Sequence, residues 1–250
     1  ELVAITSNAD AGQPLSAVYP SFAGVSDLVF TTHDAPELKS CDAVFLAVPH
    51  TAAMAQVPAL LASGVSCFDL SADYRLNDAS VFEAWYAAEH TSPELLKTRA
   101  FGLPELFCLA AAPAVRADWV AQSGPVIVDA ISGVTGAGKS CNARTHFCSA
   151  DENLEAYGVG KHRHTPEIEQ ILGLTDRVVF TPHLAPLKRG LLSTVTMPLT
   201  PQAIDTLTLE DVVDYYKQFY AGRTFVRVLD AGQQPKTASV VGTNAAQIGL

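Results

Sequence analysis

Apolar residues in the first part of the chain form short continuous runs separated by a helical segment. Residues 43–48 and 65–70 are apolar runs of strand length, and residues 49–64 between them fit a helix. Thr51 suits the N-cap position, and Gly64 suits the residue that ends the helix. Strand, helix and strand form a βαβ unit, and continuous apolar strands favour a parallel sheet covered on both faces. We also predict a strand over 2–6 and a helix over 81–89.

The pattern changes from about residue 125, where apolar stretches of strand length are separated by long polar stretches. We predict strands over 124–133, 177–186, 190–199, 225–230 and 238–250, and a helix over 208–220. This order indicates a mixed or antiparallel sheet with a few helices. The predicted fold is therefore α/β followed by α+β, in two lobes.

Composition and charge exclude two classes of partner. The 250 residues are 48% apolar and have a mean hydropathy of +0.19, but the longest apolar runs are far too short to span a membrane. A net charge of −10, without a basic stripe, argues against nucleic acid. Glu1 opens inside a predicted strand with no signal-peptide pattern, so we expect the sequence to begin mid-chain.

Cysteine usage indicates a reducing compartment. The five cysteines are odd in number and scattered, and they form no CxxC pair, which fits neither a disulfide framework nor a zinc ribbon. They are Cys41, Cys67, Cys108, Cys141 and Cys148. We therefore predict a cytoplasmic protein.

The segment KHRHTPEIEQ concentrates charge and imidazole at the start of a predicted helix. Thr165 suits the N-cap, the proline after it suits the first helical position, and Glu167 interacts favourably with the helix dipole. His162 and His164 precede this helix, and at strand spacing their rings point to one face. A polar surface turn, an acid/base site and a metal site all fit this pattern.

The glycine-rich stretch SGVTGAGK, residues 132–139, ends a predicted strand. Its backbone N–H groups can form an anion-binding nest, and with Ser140 it matches the P-loop pattern GxxxxGK[ST]. A P-loop belongs to the first strand of a βαβ unit, whereas the βαβ unit here lies far upstream. A plain turn, a P-loop and another type of cofactor loop stay open on this pattern.

Two further stretches place polar groups at strand and loop ends. Ser7 and Asn8 follow the first predicted strand, where an NAD-selecting fold usually has an acid for the ribose. A hydroxyl and an amide there favour NADP, or they mark an ordinary turn. Lys188 and Arg189 follow a proline-stiffened loop, where they can bind a carboxylate or phosphate or simply face solvent.

Seven blocks of sequence, in order and over nearly the whole chain, carry a family resemblance. They are AVFLAVPH (43–50), FDLSADYRL (68–76), FGLPEL (101–106), SGVTGAGK (132–139), GVGKHRHTPEIEQ (158–170), FTPHLAPLKRGLL (180–192) and VVGTNAAQIG (240–249). Together they resemble the N-acetyl-γ-glutamyl-phosphate reductases, a branch of the aspartate-semialdehyde and glyceraldehyde-phosphate dehydrogenase superfamily.

This resemblance implies a Rossmann-like dinucleotide-binding lobe over residues 1–107 and an α+β catalytic and oligomerisation lobe over 108–250. It implies NADPH-dependent reduction of N-acetyl-γ-glutamyl phosphate to N-acetylglutamate 5-semialdehyde and phosphate, in arginine biosynthesis. A cysteine thiolate attacks the acyl phosphate, and hydride then reaches the thioacyl carbon. A homodimer or homotetramer is expected.

The resemblance also assigns roles to residues. His162 and His164 become acid/base candidates, and we favour His164 because it adjoins the helix; Glu167 orients it or binds substrate. No metal ion is needed for this chemistry. The predicted cofactor contacts are Ser7, Asn8, Pro49, His50, Ser132, Gly133, Gly136 and Gly138, and the predicted substrate contacts are Lys188 and Arg189.

Three parts of the family pattern are missing from the sequence. They are an N-terminal GxxGxxG loop, a continuation beyond Leu250, and the PGCYPT-type segment that carries the nucleophile, which would fall between Phe107 and Cys108. Cys108 lacks the flanking residues of that segment, so we predict a core thiol. We expect the missing parts to belong to a longer protein.

Two alternatives remain. A degenerate paralogue would bind cofactor or a partner without catalysis. An aspartate-semialdehyde dehydrogenase-like enzyme is the other, but HRHTPE and FGLPE fit the acetylglutamyl branch better.

Overall fold

The computed structural model describes residues 1–102, 118–138 and 142–250. Within it the chain divides into two units, Glu1–Arg99 and Ala100–Leu250. The domain boundary predicted after residue 107, and the expected gap between Phe107 and Cys108, both lie outside the described residues.

The first unit contains the predicted βαβ arrangement. Its elements are β1 (Ile5–Thr6), α1 (Leu15–Val18), β2 (Phe30–Thr31), β3 (Ala43–Leu46), α2 (Ala52–Ala62), β4 (Ser66–Asp69) and α3 (Ala79–Tyr86). β1 pairs with β2 and β3 pairs with β4, both in parallel. Gly64 follows α2 with a left-handed φ of 83°, which confirms it as the residue that ends this helix. β1 is shorter than predicted because its ladder with β2 joins only two residue pairs.

The core of the first unit forms around α2. Ala53, Val57 and Leu60 recur at helical spacing and are buried, so one face of the helix packs inward. They belong to a cluster that also includes Leu46 of β3 and Phe82 of α3. Each fully buried Val, Leu or Phe side chain of this cluster contributes about 1.5–3 kcal/mol relative to an exposed one.

The second unit is built on a mixed sheet, as predicted. Its elements are β5 (Val126–Gly133), α4 (Phe147–Ala150), β6 (Glu155–Ala156), α5 (Thr165–Leu172), β7 (Val178–Ala185), β8 (Leu191–Thr196), α6 (Pro201–Thr206), α7 (Leu209–Phe219), β9 (Val226–Val228) and β10 (Ala246–Ile248). The strand order is β6-β7-β5-β8, with β5 and β7 parallel and the two outer strands antiparallel to them. Val126, Val128 and Ala130 alternate along β5 and form a core with Phe180 and with Ile168 of α5.

Two predicted elements of the second unit were wrong in detail. The strand over 238–250 is confined to Ala246–Ile248, because a turn with Gly242 at a φ of 78° interrupts it. The segment before α5 is a turn rather than an extended strand, since Gly158 and Gly160 both adopt left-handed backbone. The helix begins at Thr165, and His164 rather than Thr165 is its N-cap.

Within the ranges that the structure describes, no helix has both the length and the apolar character needed to cross a membrane. The same ranges contain no group of three or more His, Cys, Asp or Glu side chains that could hold a metal ion.

Candidate active site

Parallel pairing of β5 and β7 brings together the glycine-rich loop after β5, residues 134–138, and the basic loop after β7, residues 186–190. Gly133 at the end of β5 lies opposite Ala185 at the end of β7, so both strands deliver their following loops to one edge of the sheet. β5 continues into a 3-10 turn over Val134–Ala137, and residues 142–146, where the helix of a P-loop would run on, form a turn. Lys188 and Arg189 are exposed on the loop after β7.

Hydrogen bonds join these two loops. The Gly133 N–H donates to the Gly190 carbonyl at 3.0 Å, and the Val134 N–H donates to the Leu187 carbonyl at 3.0 Å. The Thr135 hydroxyl donates to the Lys188 carbonyl.

Two glycines of the loop are required by close contacts. A Cβ at Gly133 would lie 2.6 Å from the Leu187 carbonyl oxygen, and one at Gly136 would lie 2.9 Å from Ser132 Oγ. Gly138 ends the turn with a φ of 85°. Of the glycines predicted as cofactor contacts, Gly133 therefore also allows the close approach of the two loops, whereas Gly136 and Gly138 shape the turn itself.

The two histidines before α5 were predicted to share one face at strand spacing, whereas in the structure a turn brings their rings into contact. Their ring centroids are 4.8 Å apart in an edge-to-face arrangement. The backbone N–H of His164 donates to His162 Nδ1 at 3.3 Å, so a neutral His162 carries its proton on Nε2. The ring of His162 also packs edge-on against Tyr157 and Phe180.

Burial sets the charge of His162. Desolvation, followed by the positive charges of His164 and Arg163, lowers the pKa of His162 to about 4. His162 is therefore neutral at neutral pH and is held in one orientation by its aromatic neighbours. His164 is exposed to solvent, and Glu167, in the first turn of α5, is buried.

The first unit offers polar groups at the carboxyl end of β1. Ser7 Oγ donates to Asp10 at 2.7 Å, and Asn8 Oδ1 accepts the backbone N–H of His33 at 3.0 Å. An acidic side chain therefore does lie at this strand end, although sequence reasoning expected only neutral groups. These hydroxyl, amide and carboxylate groups fit the ribose side of a dinucleotide.

Pro49 and His50 follow β3 and are both exposed, and the His50 ring lies 5.7 Å from the ring of Tyr86. Asp73 accepts backbone N–H groups at the start of α2, directly after this turn. Because that carboxylate occupies the helix terminus, a cofactor phosphate has to be held elsewhere.

Sequence reasoning missed several residues that shape these sites. Asp73 and Tyr157 act through contacts that their local sequence does not reveal. His183 on β7 has a buried Nδ1 with no hydrogen-bond partner among the described residues. His183 follows a proline in FTPHLAP, which was the only local sign of a special position, but the sequence pattern predicts no more than a strand there.

The cysteines among the described residues are free thiols. Cys41 and Cys67 lie in the first unit, where burial raises the pKa of Cys67, and Cys148 is exposed on α4. Cys108 and Cys141 lie outside the described residues.

Comparison with protein-family models assigns both parts of the chain. Residues 1–123 match the semialdehyde dehydrogenase NAD binding domain, and residues 104–250 match the semialdehyde dehydrogenase dimerisation domain. The first match indicates a nicotinamide dinucleotide cofactor, and the second indicates a homo-oligomer.

Curated relatives specify the family further. The chain is 42% identical to an N-acetyl-gamma-glutamyl-phosphate reductase of Symbiobacterium thermophilum and 44% identical to one of Syntrophobacter fumaroxidans, covering all of this chain and 78% of each relative. The alignment with the first runs over 275 residues, which exceeds the 250 residues of this chain. That relative therefore contains residues that have no counterpart here.

Solved structures resemble the chain at the level of fold. A probable aspartate-semialdehyde dehydrogenase from Pseudomonas aeruginosa gives a TM-score of 0.62 at 19% identity, over 98% of this chain and 78% of that one. Aspartate semialdehyde dehydrogenase with NADP from Candida albicans gives 0.63 at 13% identity, over 96% and 78%.

Proposed function

The chain belongs to the N-acetyl-γ-glutamyl-phosphate reductase family, and from this premise we propose its reaction. It reduces N-acetyl-γ-glutamyl phosphate to N-acetylglutamate 5-semialdehyde and phosphate with NADPH, as a step of arginine biosynthesis. The observation that carries this proposal is identity of 42–44% over the whole chain with reductases of that name. The alternative activity, on aspartyl phosphate, has only fold-level likeness in its favour.

NADPH supplies the hydride when it is bound, and this chain contributes the contacts that hold it. We assign these to the strand ends of the first unit, at Ser7, Asn8, Pro49 and His50, and to the glycine loop of the second unit, at Ser132, Gly133, Gly136 and Gly138. Hydroxyl, amide and backbone N–H groups at these positions support the assignment.

The histidine pair provides acid/base chemistry in this proposal. His164 is exposed to solvent, where its ring can exchange a proton, whereas His162 is neutral, partly enclosed and accepts the His164 N–H. We therefore assign proton relay to His164 and orientation of the relay to His162. Glu167, buried in the first turn of α5, positions the start of the helix or meets the substrate.

Lys188 and Arg189 are assigned to the anionic groups of the substrate. Arg189 lines a cavity of about 600 Å³ between β8 and the segment 235–247, with Lys236 as a second cation and no acidic residue in the lining. Two cations without an acid favour a carboxylate or phosphate. The cavity supports an anionic substrate.

The direct test is turnover by the intact protein, followed through the absorbance of NADPH. Activity with N-acetyl-γ-glutamyl phosphate that exceeds activity with aspartyl phosphate, and a preference for NADPH over NADH, are expected. Arg189→Met should raise the substrate KM, with Arg223→Met, on the loop after α7, as the charge-matched control. A preference for aspartyl phosphate would favour the alternative enzyme. NADPH binding without turnover would favour a non-catalytic paralogue.

We further propose that the open face of the mixed sheet is the surface between copies in a homodimer or homotetramer. Register places Val179, Asp129 and Thr194 on the face opposite the core with α5, and all three are exposed. Val179→Glu should reduce the mass measured by light scattering, whereas Ile204→Glu, at an equally apolar exposed site on α6, should not. Equal masses for wild type and Val179→Glu would place the contact elsewhere.

A cytoplasmic location completes the proposal. Cys41, Cys67 and Cys148 are free thiols, which suits a reducing compartment, and the small anionic substrate and NADPH are the partners expected there. Cell fractionation with an antibody against the protein tests this, and recovery from a secreted or membrane fraction would contradict it.

A further inference from the structure

A buried carboxylate holds the turn that precedes α2. Asp73 is only 1% exposed, and it lies 22 residues beyond Thr51 in sequence. Its Oδ1 accepts the Thr51 N–H at 2.6 Å, and its Oδ2 accepts the Met54 N–H at 3.0 Å. These are N–H groups at the start of the helix, which have no partner within it. The cap of α2 therefore comes from a distant part of the first unit.

The residue that receives this bond has an unfavourable backbone conformation. Thr51 has a φ of 74° and a ψ of −21°, in the left-handed region, where a β-branched residue is a genuine outlier. Conformations of this kind persist only where the surrounding structure holds them, and they occur mainly at functional sites. The short hydrogen bond to Asp73 stabilises the left-handed conformation of Thr51.

The left-handed residue joins the two exposed residues after β3 to helix α2. Pro49 and His50 leave the end of β3 and are exposed, while the His50 ring contacts Tyr86 of α3. Because Leu46 of β3 and Met54 of α2 are packed in the same core, a change in the Thr51 backbone would have to be absorbed by the exposed turn between them, which contains Pro49 and His50. The exposed turn is thus set from the buried side by Asp73.

We propose that Asp73 is a positioning residue for the dinucleotide, which it serves by locking Thr51 in the left-handed conformation so that Pro49 and His50 face the cofactor. This rests on the proposed function, which places NADPH at that turn. Asp73 does not touch the cofactor in this proposal. It acts only through the backbone of Thr51.

The test measures the NADPH dissociation constant of the intact protein by fluorescence titration, together with KM and kcat. Asp73→Asn replaces one acceptor by a donor. It should weaken NADPH binding about tenfold, because Thr51 would then hold the left-handed conformation in only about a tenth of the molecules. Thr51→Pro fixes φ near −65° and also removes the N–H that Asp73 accepts, so it should weaken binding to a similar degree while the Asp73 side chain is kept.

A rescue variant separates positioning from general damage. Glycine adopts the left-handed conformation without strain, so adding Thr51→Gly to Asp73→Asn should recover at least threefold of the lost affinity. Ser92→Ala is the matched control, because Ser92 is also 1% exposed and bonds Tyr74 in the same core. It should leave NADPH affinity within about twofold of wild type.

Three results would overturn this inference alone. The first is that Asp73→Asn and Thr51→Pro bind NADPH as well as wild type does. The second is that Ser92→Ala loses as much affinity as Asp73→Asn, and the third is that Thr51→Gly recovers none of the lost affinity. If Asp73→Asn does not fold, Thr51→Pro decides between the outcomes. Wild-type protein that binds no NADPH would instead overturn the proposed function, and this inference with it.

Discussion

Helices α2 and α5 both begin directly after residues assigned to ligand contact, yet their first turns are held in different ways. The start of α5 is local: Thr165 donates to the His162 carbonyl at 3.0 Å, and His164 donates to the His162 ring. The start of α2 depends on a carboxylate from 22 residues away and on a left-handed threonine. A locally held turn can lose an exposed side chain without losing its shape, whereas a remotely held turn fails when its distant partner is removed.

The largest expected effect is at the local turn, where chemistry should be lost and structure kept. His164→Ala should lower turnover about 10²–10⁴-fold with little change in substrate KM, because the ring acts in the transition state. Its melting temperature should stay close to that of wild type, since His164 is exposed. His146→Ala, at another exposed histidine of the second unit, is the control. If His162→Ala lowers turnover more than His164→Ala does, the two roles are reversed. If both variants keep turnover within threefold of wild type, the acid/base assignment is refuted.

At the remote turn, the same kind of truncation should affect stability. Asp73→Ala leaves the buried Met54 N–H and the part-buried Thr51 N–H without this acceptor and should lower the free energy of unfolding by about 3 kcal/mol. Asp78→Ala removes the local N-cap of α3, which accepts the Ser80 N–H at 2.7 Å, and should cost about 1 kcal/mol. Urea unfolding of both variants measures the difference, and equal losses would show that the remote cap is no stronger than a local one.

Replacing the left-handed threonine should relieve strain. Thr51→Gly should raise the free energy of unfolding by about 1 kcal/mol, which is the released strain less the entropy cost of glycine. The matched change Thr165→Gly, at a helical position of α5, should lower it by about 1 kcal/mol. Thermal unfolding of the two variants should therefore shift in opposite directions, and a loss of stability in Thr51→Gly would argue against strain at this residue.

The smallest expected effect is a pH dependence from His162. Its pKa is lowered to about 4 in the folded protein, so the unfolded chain binds the proton more readily between about pH 4 and the ordinary value of 6.5. The stability from this group is complete above pH 6.5 and is lost as pH falls through that window. After discounting for solvent around the half-buried ring, the loss is under about 1 kcal/mol. His162→Gln should flatten the stability profile there, and an unchanged profile would contradict the shift.

What could be predicted from the sequence follows the same division between local and distant contacts. Gly64 as the end of α2 and the helix after His164 depend on neighbouring residues, and both were predicted to within a residue. The glycine loop was recognised, but Gly133 is needed because the carbonyl of Leu187, on the loop after β7, lies close to it. The role of Asp73 could not be seen because its contact closes a loop of 22 residues. Ser7 was read as a neutral strand end because its bond to Asp10 depends on how the turn folds.

The bonded contact between the glycine loop and the basic loop also has a kinetic consequence. The amides of Gly133 and Val134 are held by carbonyls of the other loop, so neither can exchange its hydrogen with water until the two loops separate. Exchange at these two amides should be slow and matched, and one opening event would expose both. The loop assigned to the cofactor and the loop assigned to the charged groups of the substrate therefore separate in a single opening motion.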